Sequence, residues 1–111
     1  PPPPPPPAPP APERMEVTCT FAAGSARVDN ICKAKLDEVA LRMKEDPDWR
    51  AQVIGYSSPG GSQDANQRIA EQRAEAVKNY LVTRHGIDPS RITTEGQAGD
   101  EAEAVIILTN P

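Results

Sequence analysis

The chain has 111 residues, the first dozen almost all Pro and Ala, so about a hundred remain to fold, which suits one small domain with one core and excludes two. Net charge is −4, from 12 Lys and Arg against 16 Asp and Glu. The basic residues are scattered rather than striped, which argues against nucleic acid or an anionic membrane surface as a partner, and no run of ~18 apolar residues offers a membrane span.

Residues 1–13 form a Pro-rich linker: a segment this dense in proline lacks backbone donors and adopts polyproline II. At ~3.1 Å per residue it makes a semi-rigid spacer of roughly 35–40 Å. A ligand for a proline-recognition domain is the other use of such a segment, and the composition fits the spacer better. The chain opens on Pro1 with no signal peptide and reads as a piece of a longer parent, its domain occupying residues 14–111.

Met15, Val17, Cys19 and Phe21 alternate with Glu16, Thr18 and Thr20, a period of two that predicts a strand over 15–22 with one apolar face. Gly24 and Ser25 break it. Asp29 or Asn30 then caps a helix reaching about residue 45, with Cys32, Leu36, Val39 and Met43 as its buried stripe. Pro47 stops that helix, Trp49 seals the turn, and 51–56 reads as a buried strand. A second helix spans 63–84, its stripe Ala70, Ala74, Val77 and Leu81, with Gly86 as the C-terminal cap. A turn at 87–90 leads to a short strand at 91–95, a turn at 96–100, and a continuous apolar run at 104–109 of the kind expected for a central strand. The order β-α-β-α-β-β predicts an α+β fold with two helices packed on one face of a four-stranded mixed sheet. If the first two strands are parallel neighbours, their crossover is right-handed.

Cys19 and Cys32 both fall on the apolar phase of their elements, which fits two small buried thiols. They also lie on consecutive elements that must pack together, and the pairing Cys19–Cys32 is the expectation adopted, with the oxidising compartment it implies. Gly60, Gly61 and Ser62 lead into the second helix, where unpaired amides welcome a carboxylate or phosphate; Ser62 or Asp64 acting simply as a cap is the other reading. Gly-Lys-Ser/Thr is absent, so this is no nucleotide phosphate loop. No cluster of His, Cys and carboxylate has metal-ligand spacing, and no cofactor is expected. The single His85 stands about twenty helical residues, or ~30 Å, from Ser57 and Ser58, too far for a Ser-His pair, so no enzyme is expected.

The run 55–74 resembles the peptidoglycan-binding motif of OmpA-like C-terminal domains, shared with Pal lipoproteins and MotB stators: Gly-His-Thr-Asp, two residues, Gly-Ser, two residues, Tyr-Asn, two residues, Leu-Ser, two residues, Arg-Ala. Gly55, Gly61, Ser62, Asn66, Arg73 and Ala74 match it, with Ile69 and Ala70 as mild substitutions. Phe21 with Ser25 and Ala26, Leu36, Tyr80 and Leu81, Gly86 and Ile87, and Arg91 and Ile92 extend the resemblance over nearly all of 15–111. It implies a β-α-β-α-β-β domain that grips the peptide stem of peptidoglycan without chemistry. The motif Asp would pair with the ammonium of diaminopimelate and the motif Arg with its carboxylate, assisted by loop and helix-start amides. The implied ligand-binding set here is Ser57, Ser58, Asn66 and Arg73. Ser58 stands at the family's Asp position, which replaces a charge-assisted contact by a neutral one. Tyr56 stands for the usual His, Ala65 for the usual Tyr, and Ala102-Glu103-Ala104 for the Asn-Arg-Arg that normally precedes the last strand. Asp64, Glu71 and Glu103 are the candidate substitute carboxylates.

The resemblance therefore implies a periplasmic cell-wall binding module, part of an outer-membrane-associated parent. The alternative is a degenerate domain of the same fold that has lost peptidoglycan and serves a structural or protein-interaction role.

Overall fold

A computed structural model describes residues 1–6, 13–57, 62–99 and 101–110. Its elements are β1 (Glu13–Thr20), α1 (Asn30–Glu45), β2 (Arg50–Ser57), α2 (Gln63–His85), a 3-10 turn (Pro89–Arg91), β3 (Ile92–Ala98) and β4 (Glu103–Asn110). The sheet order is β1-β4-β2-β3. β4 runs antiparallel to both its neighbours, and β2 and β3 are parallel. The apolar run thus occupies a central position, as its composition requires. β4 lies between β1 and β2, so the parallel neighbours joined through a helix are β2 and β3 rather than β1 and β2.

Both helices pack on one face. Leu36, Val39, Ala40 and Met43 of α1, with Ala70, Ala74, Val77 and Leu81 of α2, meet Cys19, Ala51, Val53, Ala104, Ile106 and Leu108 of the sheet, and all are buried. Local chemistry starts and stops each helix. Asp29 accepts the amide of Cys32 at 2.8 Å to open α1, and Ser62 accepts that of Ala65 at 3.2 Å to open α2. Gly86, at φ 68°, closes α2 by donating to Leu81 and Val82 carbonyls. The exposed carbonyls at the end of α1 are taken up by Arg91, which reaches Met43 O at 2.8 Å, Asp46 O at 3.0 Å and Trp49 O at 2.8 Å. Trp49 lies buried in that turn.

A row of small residues lets α2 come unusually close to the sheet. Gly55 is in register with Gly96 on one side and with Ala104 on the other. A methyl group on Gly55 would overlap the Ala70 carbonyl oxygen and come within 2.9 Å of the Ala74 amide nitrogen; one on Gly96 would lie 2.8 Å from the Glu71 nitrogen. This changes the expectation for β3. Gly96 reads in isolation as the start of a turn, yet β3 continues through it to Ala98 and stays paired with β2, because glycine here provides clearance for the helix.

The disulfide Cys19–Cys32 is present, joining the end of β1 to the first turn of α1 with a Cα–Cα distance of 5.2 Å. Both cysteines are buried, as their apolar phase predicts. By closing a loop of this length it restricts the unfolded chain by about 3 kcal/mol on the chain-entropy estimate. Cys19→Ser with Cys32→Ser is accordingly expected to lower the urea midpoint by that equivalent; an unchanged midpoint would show that native packing, not the crosslink, carries the loop.

Candidate functional site

The described residues of the run 55–74 bring the end of β2 together with the first turns of α2. Among the described residues Arg73 is the largest fully buried side chain, 1% exposed. Its Nε donates to Ser25 O at 2.9 Å, Nη1 to Tyr56 O at 2.8 Å and Nη2 to Ala22 O at 3.3 Å. The guanidinium also stands 5.6 Å from the centre of the Phe21 ring. Burial pushes its pKa down from the ordinary value without neutralising it. One cation therefore ties the end of β2 to the β1–α1 loop, and at least three of its five N–H groups are spent on the chain's own carbonyls.

The other motif residues fall into distinct places. Ser57 is buried, and its carbonyl accepts the Gly99 amide at 3.1 Å, which anchors the β3–β4 turn. Ser62 caps α2, and its carbonyl takes the amide of Asn66 at 3.0 Å. Asn66, half-buried, lines a cavity of about 270 Å³ together with Gln63, Asp64, Gln67 and Ala98. Ser58, Gly60 and Gly61 lie outside the described residues.

The structure separates the three candidate substitute carboxylates. Asp64 lines the cavity at the start of α2. Glu71 lies further along, in a groove of about 570 Å³ with Gln67, Glu75, Thr94, Glu95 and Gly96, where its carboxylate accepts from Gln67 at 3.1 Å. Glu103 sits on β4 with the side-chain phase of Val105 and Ile107, on the sheet face away from α2. Tyr56, at the family's His position, is on that same far face against Gly99.

Sequence reasoning overlooked Ala22 and Ser25 as partners of Arg73, and Ala98 as a cavity wall. The first two are carbonyl acceptors, and a carbonyl leaves no mark in the residue type. Ala98 was assigned to a turn, although β3 runs on to it and pairs it with Ser57.

His85 is engaged at the opposite end of α2. Its Nε2 lies 2.6 Å from Asp37 Oδ1, which also accepts the Tyr80 hydroxyl at 2.7 Å. The Tyr80 hydroxyl, then His85, hold the Asp37 carboxyl below the usual carboxylate range, and the same bond to Asp37 raises the Tyr80 phenol. The cluster bridges α1 to α2 and stands apart from Ser57. Among the described residues no group of three His, Cys, Asp or Glu could hold a metal ion, and no helix is long and apolar enough to cross a membrane.

The profile of the OmpA family matches residues 20–105. Among curated proteins, the probable lipoprotein YiaD of Escherichia coli (strain K12) is 40% identical over 82 residues, covering 74% of this chain and 37% of the relative. Outer membrane protein Omp38 of Acinetobacter baumannii is 30% identical over 87 residues, covering 78% of this chain and 24% of that protein. The chain thus spans roughly a quarter to two-fifths of the length of these relatives. Among solved structures, the OmpA-like domain of FopA1 from Francisella tularensis subsp. tularensis SCHU S4 superposes with a TM-score of 0.79 at 22% identity, over 88% of this chain and 73% of that one. The peptidoglycan-associated lipoprotein from Burkholderia pseudomallei does so with a TM-score of 0.77 at 18% identity, over 82% and 88%. Both share the fold of two helices against a four-stranded mixed sheet.

Proposed function

This chain belongs to the OmpA family, and from that premise we propose that it is a non-catalytic module that fastens an envelope protein to peptidoglycan through the diaminopimelate of the peptide stem. The observation that carries the reading is the junction of β2 and α2. There a buried guanidinium, the capped start of a long helix and a small cavity lined by Gln63, Asp64, Asn66 and Gln67 draw on one run of sequence. A helix start offers amide hydrogens and positive potential to a carboxylate, and Arg73, two turns beyond Asn66, adds a full charge behind it. At the ammonium end of the ligand, Ser58 contributes one neutral acceptor and Asp64 the negative charge. The name of the Burkholderia neighbour, a peptidoglycan-associated lipoprotein, supports the same assignment. We place the module in the periplasm, where the Cys19–Cys32 disulfide persists, with residues 1–13 as the spacer to an outer-membrane-associated parent.

The competing reading, a domain that keeps the fold and has lost the ligand, is favoured by one observation: Arg73 gives three of its hydrogens to backbone carbonyls. Sedimentation with purified peptidoglycan and titration with free diaminopimelate separate the two. Restoring the acid with Ser58→Asp is expected to tighten binding about tenfold, the equivalent of ~1.4 kcal/mol, and Asp64→Ala to weaken it. No saturable binding by the wild type or by Ser58→Asp would overturn the cell-wall reading and leave the structural one.

A further inference from the structure

Among the described residues, no helix covers the second face of the sheet. That face presents Arg14, Glu16, Thr18 and Thr20 from β1, Glu103, Val105, Ile107 and Thr109 from β4, Arg50, Gln52, Ile54 and Tyr56 from β2, and at its edge the exposed Thr93, Glu95 and Gln97 from β3. Arg14, Glu16, Arg50 and Gln52 are exposed; Ile54, Tyr56, Val105 and Ile107 form a half-buried apolar centre. The β3–β4 turn reaches the face at Gly99, beside Tyr56.

Register gives this face a polarity. At one end Thr109 of β4 lies between Arg14 of β1 and Arg50 of β2, its direct partners on either side. At the other end of the same strand stands Glu103, opposite Thr20. From end to end the central strand therefore reads Glu103, Val105, Ile107, Thr109. A two-fold axis lying in the plane between two sheets, perpendicular to the strands, reverses that order in the facing copy. Val105 then comes over the partner's Ile107, and Glu103 comes down on the partner's Thr109, between two arginines.

We propose that this face is a self-association surface whose occupant is a second copy of this chain, packed sheet against sheet with the strands antiparallel. The apolar centre gains by leaving water, and each Glu103 is neutralised by two cations of the partner. Sheets packed this way stand ~10 Å apart, a gap that Arg and Glu side chains span together. The contacts the charges now make are cheap to exchange. Arg14 bonds exposed Glu16 at 3.0 Å, and Arg50 reaches Ser90 O at a long 3.4 Å. Four strands ~4.8 Å apart and about seven residues long at ~3.3 Å each make a face of roughly 450 Å² per copy, so the dimer belongs to the weak, transient class.

Sedimentation velocity on the 111-residue chain from ~10 μM to ~1 mM, the range of transient interfaces, tests this. The wild type is expected to move toward dimer mass as concentration rises. Glu103→Arg alone, and Arg14→Glu with Arg50→Glu, each place like charges together and are expected to weaken association about tenfold or more. An equimolar mixture of these two variants is expected to recover dimer mass, since every swapped charge then meets its opposite. Ile107→Asp is expected to stay monomeric in any mixture, with a melting curve that reports its fold. A wild type that remains monomeric at the highest concentration overturns the proposal and leaves the face to another partner. Variants that associate like the wild type, or a mixture that fails to recover, overturn the antiparallel arrangement.

Discussion

Gly55→Ala is expected to lower the stability of this domain by about 3 kcal/mol, the upper end for overpacking a core. One added methyl group would ordinarily be absorbed by a side chain turning aside. Here the obstacles are the Ala70 carbonyl oxygen and the Ala74 amide nitrogen, both backbone atoms inside a helix. They can yield only if α2 shifts as a body, which disturbs the burial of Ala70, Arg73, Ala74, Val77 and Leu81 together. For a domain of about a hundred residues, 3 kcal/mol corresponds to a fall in Tm of roughly 12–24 °C. Gly24→Ala is the control. Gly24 also resists substitution, but through its φ of 68° with open space around it, so its cost is confined to local backbone strain of about 1–2 kcal/mol. Thermal unfolding of the two variants should rank Gly55→Ala well below Gly24→Ala, and equal melting temperatures would refute the close helix approach as the origin of the effect.

Arg73→Ala is the second large effect, expected at about 3–4 kcal/mol because it takes the donor from three part-buried carbonyls and empties the fully buried volume of a long side chain. The three acceptors come from two segments, Ala22 and Ser25 in the β1–α1 loop and Tyr56 at the end of β2. The loss should therefore appear first as faster amide exchange around residues 22–28. Arg73→Lys retains the charge and the stem, but its compact ammonium cannot reproduce the planar fork, so intermediate stability is expected. A urea midpoint for Arg73→Ala within the equivalent of 1 kcal/mol of wild type would show that the guanidinium is not the tie described here. The distinction governs how binding data are read. Loss of peptidoglycan binding in Arg73→Ala alone would follow from a released loop as readily as from a lost contact. Ser58→Asp, which restores the acid at the family's position and leaves Arg73 in place, is the cleaner probe of the site.

Legibility in the sequence followed the range of the interactions. Asp29 as a cap, Gly86 as a C-terminal cap and the buried stripes of both helices were readable because the caps act within five residues along the chain and the stripes recur every three or four. β4 was readable as central from its continuous apolar run, although only its helix-facing positions, Ala104, Ile106 and Leu108, are fully buried and Val105 and Ile107 lie half-buried on the other face. The pairing of Cys19 with Cys32 was readable because both sit on the core phase of elements adjacent in sequence and space. The end of β3 was misplaced, since Gly96 serves a helix contacting it from twenty-five residues away in sequence. The roles within 55–74 were harder. The run marks Arg73 as important, but a recognition residue and a buried tie look identical in a string of letters.

By itself, then, the sequence determined the order of elements, their caps, the family and the run that carries the candidate site, all matters of local periodicity or of motif spacing. Tertiary structure alone decided the strand order, the Ala104–Gly55–Gly96 row beneath α2, and the burial of Arg73 against carbonyls 48 and 51 residues distant. Backbone carbonyls are common to every residue. Which of them a guanidinium meets depends on how separate elements stack, and local spacing does not encode that.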